Sequence, residues 1–375
     1  MRILVCGGGV IGASIAYFLC RRGAEAVVIE RTGVACAASG KSGGFLALDW
    51  CDGSPLEDLA RRSFALHASL AETIAGEWGY RRLATFGGFA TARDTRESAG
   101  KGRSPMVGWV SRGVAVDRRL GSTATTAQVH PGQFTQAMMR AAEANGGKLH
   151  KGCVTGIVRD EVAARVRGVE VDGKLMEGDA VVIAMGPWSL LAAQWLPLPP
   201  VYGLKGHSLV FDTGTHVPAE ALFLEYQEAN GDVHGPEIFP RTDGTTYVCA
   251  LSSESPLPLD PQAVEPDAGA IDRLHAMCAR ISPALGSARV LASQACHRPV
   301  TRDGLPLIGR VPDLSGAYVA TGHSVWGILN APATGEVMAE LILDGATRTV
   351  DLSPFDPARL APYDPARLRS RVTGL

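Results

Sequence analysis

Arg2-Ile3-Leu4-Val5-Cys6-Gly7-Gly8-Gly9-Val10-Ile11-Gly12 opens with four apolar residues in a row and runs into a glycine cluster. Such a run bounded by glycines predicts a short buried strand over 2–6. Residues 10 to 22 then carry a helical pattern closed by Gly23, and Ala26 to Glu30 form a second strand, which together make a βαβ start. Gly7, Gly9 and Gly12 satisfy G-x-G-x-x-G between that strand and that helix, the context in which this motif is informative. The first glycine permits the tight turn, the second lets the backbone approach a pyrophosphate, and the third lets helix and strand pack closely. Val10 and Ile11 then sit at the helix N-terminus, whose free N–H groups and partial positive charge face the phosphates. Glu30 ends the second strand, with Arg31 behind it. An acid there accepts hydrogen bonds from ribose hydroxyls and disfavours a 2′-phosphate. The motif alone leaves NAD and FAD open.

Working outward, the 375 residues suffice for one or two cores, and 46% hydrophobic with 20% charged residues describes a globular chain. A net charge of -2 gives no long-range attraction for nucleic acid or an anionic membrane, so recognition has to be local. Apolar runs fall short of the roughly 18 residues that span a bilayer, and the first twenty read as strand, turn and helix rather than a secretory signal. A cytoplasmic protein is expected. Eight cysteines are scattered without a C-x-x-C pair, so neither a zinc site nor a redox dithiol is indicated.

The Gly/Ser-rich loop Gly33 to Gly44 precedes a helical stretch from about Pro55 to Tyr80, in which Leu59, Phe64, Leu66, Leu70 and Ile74 share a face. Residues 83 to 129 read as strands and loops. A helix restarts behind Pro131 and ends at paired glycines, followed by alternating strands from Lys148 to Val171 and a buried strand Ala180 to Ala184. From about Pro197 to Val290 the pattern is antiparallel strands with one helix near 267–280. The last third returns to a strand at Ala317 to Ala320, a glycine-rich turn, and a helix from about Asn330 to Leu343, with Asn330 as N-cap and Pro332 in its first turn. The tail repeats Asp-Pro-Ala-Arg-Leu at Asp356 and Asp364 and reads as an extended strap.

Three further stretches carry a family resemblance: Ala38-Ser39-Gly40-Lys41-Ser42-Gly43-Gly44, Val182-Ile183-Ala184-Met185-Gly186-Pro187-Trp188-Ser189, and the run from Arg298 to Gly335. With the glycine motif they resemble the D-amino acid oxidase and glycine oxidase superfamily of FAD-dependent amine oxidoreductases, most closely its glycine oxidase branch. The resemblance implies an α/β fold, with a Rossmann-type FAD-binding domain made from residues 1–50, 130–200 and 294–350. A second domain on an antiparallel sheet, residues 51–129 and 201–293, would cover the flavin and bind substrate, and 351–375 form a tail. By the same resemblance Ser39, Lys41, Ser42, Gly43 and Gly44 line the phosphate and flavin side of FAD. Val154 meets the adenine, Ala184, Gly186 and Trp188 belong to the cofactor wall, and Gly322, His323, Gly327, Ile328 and Leu329 lie by the ring. Backbone N–H groups and a helix N-terminus aimed at the ring favour its reduction, because charge develops there.

The implied activity is oxidation of the C–N bond of a small amine or amino acid to an imine, by hydride transfer to the flavin. Either O2 or another acceptor then takes the electrons. Arg298 matches the family arginine that clamps a substrate carboxylate, although a structural salt bridge is the other reading. For His323, proton transfer and a backbone-satisfied buried histidine both stand. Lys205, Tyr226 and Trp326 are further substrate-side candidates, with a surface lysine and a tyrosine that packs on its strand as the other readings. Glycine oxidases carry a second arginine where this chain has Val325, which argues for a bulkier or less polar substrate than glycine. Cys296 aligns with the cysteine that holds FAD covalently in the sarcosine oxidase branch, but its flanking residues favour non-covalent binding. The strand 246–251 lacks the lysine that helps reduce oxygen there, which leaves oxidase and dehydrogenase open. An FAD-binding protein whose antiparallel domain holds a ligand without oxidising it is the non-enzymatic alternative.

Overall fold

The computed structural model describes residues 1–92 and 106–375, so part of the 83–129 stretch, residues 93–105, lies outside the described residues. Strand β1 (Arg2–Cys6), helix α1 (Val10–Arg21) and strand β2 (Glu25–Glu30) form the βαβ start. The sheet they begin runs in the order Leu307–Arg310, Ala317–Thr321, Ala180–Ile183, β1, β2, Lys148–Lys151. All neighbours are parallel except the antiparallel edge strand Leu307–Arg310.

Alternation along β1 decides what covers each face. Ile3 and Val5 point into a core shared with α1 and the helices Pro131–Ala144, Glu57–Thr73 and Gly327–Leu343. Leu4 and Cys6 point the other way, against a three-stranded antiparallel meander, Val154–Asp160, Arg165–Val171 and Lys174–Glu177. With both faces covered, the inner strands read as apolar runs.

A larger mixed sheet follows, in the order Arg289–Val300, Tyr202–Asp212, Thr245–Glu254, Glu237–Pro240, Glu220–Gln227, Ala84–Thr91, Ala115–Gly121. Its pairs are antiparallel except Glu220–Gln227 with Ala84–Thr91, which run parallel. Leu222, Leu224, Ile238 and Val248 face the helix Ala270–Ile281, whereas Phe223, Phe239 and Tyr247 face the opposite way. Residues 51–129 divide between the cores: Leu59 and Phe64 pack with the parallel sheet, while Phe86 and Val116 pack with the large one.

The last long helix differs from the expectation. It spans Gly327–Leu343, three residues longer at its start, and follows the turn Ser324–Trp326 without a side-chain cap. Asn330 is therefore interior and fully buried rather than capping, and Pro332 sits inside the helix. Pro332 has no N–H for the carbonyl of Ile328. The tail folds into short helical turns rather than an extended strap, and its Val372–Thr373 pairs in parallel with Leu257–Pro258. In each copy of Asp-Pro-Ala-Arg-Leu the aspartate accepts from the alanine N–H two residues on, Asp356 at 2.8 Å and Asp364 at 3.0 Å. No helix among the described residues is long and apolar enough to cross a membrane.

Candidate functional site

One long cleft runs from the C-terminal ends of the parallel strands to the face of the large sheet that carries Tyr247. Its position at the strand ends is where open α/β sheets bind ligands. At its inner end the chain turns at Gly7 (φ 114°), a conformation that favours glycine. A Cβ on Gly12 would overlap the carbonyl oxygen of Gly7, so helix α1 can lie this close to its strand only with glycine there. The N-terminal turn of α1 leaves backbone donors facing the cleft. One is already taken, because Val10 N–H donates to Ser39 Oγ at 2.9 Å and so ties the Gly/Ser loop to the helix. Glu30 accepts from Gly8 N–H at 2.7 Å and from Thr32 N–H at 2.8 Å, which sets its carboxylate at the rim.

Gly7, Gly9, Val10, Ile11, Glu30, Arg31, Ser39, Ser42, Gly43, Val154, Ala184, Gly186, Trp188, Gly322, His323, Gly327, Ile328 and Arg298 all line this cleft. Four other residues expected at the cofactor stand behind the wall. Gly12 packs against Gly7, Lys41 donates from Nζ to the Ala295 carbonyl at 3.2 Å, Gly44 approaches Val129, and Leu329 is buried in the helical core. Cys296 also faces the cleft; burial pushes its thiol up, against the pull of Arg298 and Lys41.

His323 is buried, and its Nε2 pairs with Thr334 Oγ1 at 3.1 Å while Nδ1 has no partner among the described residues. Burial lowers its pKa to about 3, so the ring is neutral at ordinary pH. Its side chain is committed to the helix that follows, while the turn it belongs to borders the cleft.

Three expected substrate contacts fall outside the cleft. Lys205 and Tyr226 are on the wrong face by strand parity. Lys205 shares the face of His207 and Leu209, and its Nζ pairs with Asp267 at 2.7 Å in the loop before the helix Ala270–Ile281. Tyr226 shares the face of Leu222 and Leu224, in the core beneath that helix. Trp326, half-buried, packs on the core of the parallel sheet, which leaves the exposed Val325 at the cleft.

Arg298 is built in. Gly206, on the neighbouring strand two residues along from Arg298's partner Leu204, lies beneath its side chain, and a Cβ there would come within 2.7 Å of the guanidinium. The side chain thus reaches over Tyr202–Asp212 to donate to Ser252 Oγ at 3.2 Å on the next strand. Sequence reading missed Glu237, Tyr247 and Cys249, which complete this wall. Their signal was alternation: Glu237 and Phe239 lie on one face of their strand, with Ile238 on the other.

The family model for FAD dependent oxidoreductases matches residues 2–341. The chain belongs to this family. A putative oxidoreductase of Schizosaccharomyces pombe is 30% identical over 95% of this chain and 97% of its own length. A glycine oxidase of Geobacillus kaustophilus is 28% identical, covering 95% of this chain and 96% of its own. The crystal structure of glycine oxidase from Geobacillus kaustophilus superposes with a TM-score of 0.79 at 26% identity, over 96% of this chain and 99% of that one. The protein is an FAD-dependent oxidoreductase related to glycine oxidases, and its α/β fold is theirs.

The cleft suits the cofactor. Gly7 and Gly9 line it with backbone, and Ser42 Oγ is buried in the wall with no partner among the described residues. A bound dinucleotide would satisfy that hydroxyl.

Proposed function

We propose that this oxidoreductase acts on the C–N bond of a small amine or amino acid, primary, N-substituted or cyclic, and yields an imine. The observation that carries the reading is Arg298: a guanidinium in the cleft wall, given room by Gly206, joined to Ser252 and, among the described residues, to no carboxylate. A planar cation left open toward a cleft fits a carboxylate bidentately. Glycine oxidases among the relatives support an amino acid, and the apolar Val325 beside the cleft supports one larger than glycine.

FAD, when bound, supplies the two-electron acceptor for a hydride from the carbon bearing nitrogen. The chain's part is position and charge. Residues 1–50, 130–200 and 294–350 would form the larger part of the FAD-binding unit, joined by the helix Glu57–Thr73 that packs in the same core, and the large sheet up to residue 293 would form the substrate unit. Gly7, Gly9, Val10, Ile11 and Ser42 would hold the phosphates and Glu30 the ribose. The N-terminus of Gly327–Leu343 would offer its positive end to the ring. His323 would fix the turn that presents those groups, its Nε2 paired with Thr334 and its lowered pKa making it a weak base. Non-covalent FAD fits Cys296, whose thiol is held protonated and is therefore a poor nucleophile. We place the protein in the cytoplasm, with O2 or an electron-transfer partner as acceptor.

Anaerobic titration of the purified holoenzyme with amino acids, N-methyl amino acids and cyclic imino acids tests the reading. Bleaching of the flavin absorbance by at least one of them is expected. A flavin that stays oxidised with all of them overturns it.

A further inference from the structure

The wall opposite the cofactor end holds an acid that the fold does not account for. Going across the large sheet, Arg298 lies on its edge strand, Gly206 on the second, Ser252 and Cys249 on the third, and Glu237 on the fourth, directly beside Cys249. Arg298 and Glu237 therefore face the same cleft about one strand apart once the arginine has reached to Ser252. Around Glu237 the wall is aromatic, with the Phe239 and Tyr247 rings stacked at 6.2 Å and Phe223 edge-on to Phe239. Among the described residues its hydrogen bond is weak, a Cys249 thiol donating at 3.5 Å. Among the described residues no ion pair joins Glu237 to Arg298. A carboxyl in such surroundings costs stability unless something else bonds to it, so a ligand is the natural partner.

Resting on the amine-oxidation reading above, we infer that Glu237 receives the substrate's amino group. The substrate is then an amino acid bound as a dipolar ion, its carboxylate on Arg298 and its ammonium on Glu237. Away from water that ammonium and carboxylate are more stable as a neutral pair, so Glu237 also takes the proton that must leave before oxidation. One N–H bond breaks and one O–H bond forms on Glu237, and the electron pair stays on nitrogen as the neutral amine. The proton passes to water when product leaves and the cleft refills. Burial pushes the Glu237 carboxyl up, while Arg298 beside it pulls the other way; Cys249 and Tyr247, both held protonated by burial, also face it. From the cofactor side come Cys296 and the neutral His323.

Two ligands of matched size separate the anchors: 2-aminoisobutyrate, which has no hydrogen on its α-carbon and cannot be oxidised there, and trimethylacetate. Binding to the oxidised holoenzyme is read from the flavin absorbance. The wild-type protein at pH 8 should prefer 2-aminoisobutyrate, and Glu237→Gln should lose at least tenfold of its affinity for it while holding or gaining affinity for trimethylacetate. The inference is overturned if wild type prefers trimethylacetate, or if the variant changes both affinities alike or neither. Should Glu237→Gln fail to retain flavin, Glu237→Asp and the wild-type preference decide in its place; an aspartate that leaves the preference untouched overturns the inference. With an amino acid that bleaches the flavin, the reduction rate of Glu237→Gln should climb tenfold per pH unit through neutrality, where wild type is flat; equal profiles overturn the proton-accepting part. If no amine bleaches the wild-type flavin yet the ligand preference holds, the oxidation reading fails and the Glu237 anchor survives.

Discussion

His67 Nε2 lies 2.9 Å from the carbonyl oxygen of Ile328 and 3.2 Å from that of Leu329, in a fully buried contact between two helices. Pro332 leaves the Ile328 carbonyl without its usual donor. Ala333 N–H, due to Leu329, turns instead to Ser63 Oγ at 3.0 Å. Ser63 and His67, one turn apart on Glu57–Thr73, thus close the break in the helix that begins at the cleft. Burial lowers the His67 pKa to about 4, which keeps the ring neutral at ordinary pH, and its two carbonyl partners place the proton on Nε2.

His67→Ala should therefore destabilise the protein by about 3 kcal/mol, the sum of a cavity and stranded carbonyls. Pro332→Ala restores the missing N–H, so in that background the loss should shrink by about 1 kcal/mol. A double-mutant cycle in urea measures it, and strict additivity contradicts the account.

Acid should unfold the protein early. His67 and His297 have pKa values lowered to about 4, and His323 to about 3, chiefly by burial. A histidine depressed in the folded state contributes its full stability above the unfolded value of about 6.5 and loses it as pH falls toward the folded value. Each should remove about 1.4 kcal/mol per pH unit in that window. Urea unfolding at pH 7, 6 and 5 should show this decline, with a shallower slope in His67→Gln.

Gly206→Ala should separate binding from stability. Its Cβ would crowd the end of the Arg298 side chain, 2.7 Å from Nη2, and a flexible end can move aside. The unfolding midpoint should change little. Trimethylacetate affinity, read from the flavin spectrum, should fall about tenfold, equivalent to roughly 1.4 kcal/mol.

Gly12→Ala meets backbone instead. The new methyl overlaps the Gly7 carbonyl, and neither helix nor strand can yield without opening the turn. The variant should purify without flavin colour and unfold at least about 2 kcal/mol more easily, as overpacking against fixed atoms does.

The first thirty residues were legible because turn, helix and terminal acid are local features, each tied to a short stretch of chain. Much of the cleft lining was legible through the Ser39 to Gly44 loop and the Arg298 to Gly335 run. The substrate wall was not. The large sheet is buried on both faces, so alternation shows that Lys205 and Glu237 point somewhere but not which face meets the cofactor. Register across strands distant in sequence decides that, and it placed Tyr226 under a helix and Glu237 in the cleft. The start of the last helix was misjudged because proline was read as an early-turn residue, while the compensating donor came from His67, 265 residues before Pro332.

The cleft draws its wall from Gly7 through Ile328, and the strand beside Ala180–Ile183 is not made until residue 321. A nascent chain therefore has the glycine turn early but nothing to close over a dinucleotide. Loading has to wait until synthesis has passed Ile328, and the edge of Ala180–Ile183 that pairs with Ala317–Thr321 must stay unpaired until that strand is made. Slow translation ahead of residue 317 would lengthen that exposure, so the yield of yellow protein should respond to synthesis rate as well as to flavin supply.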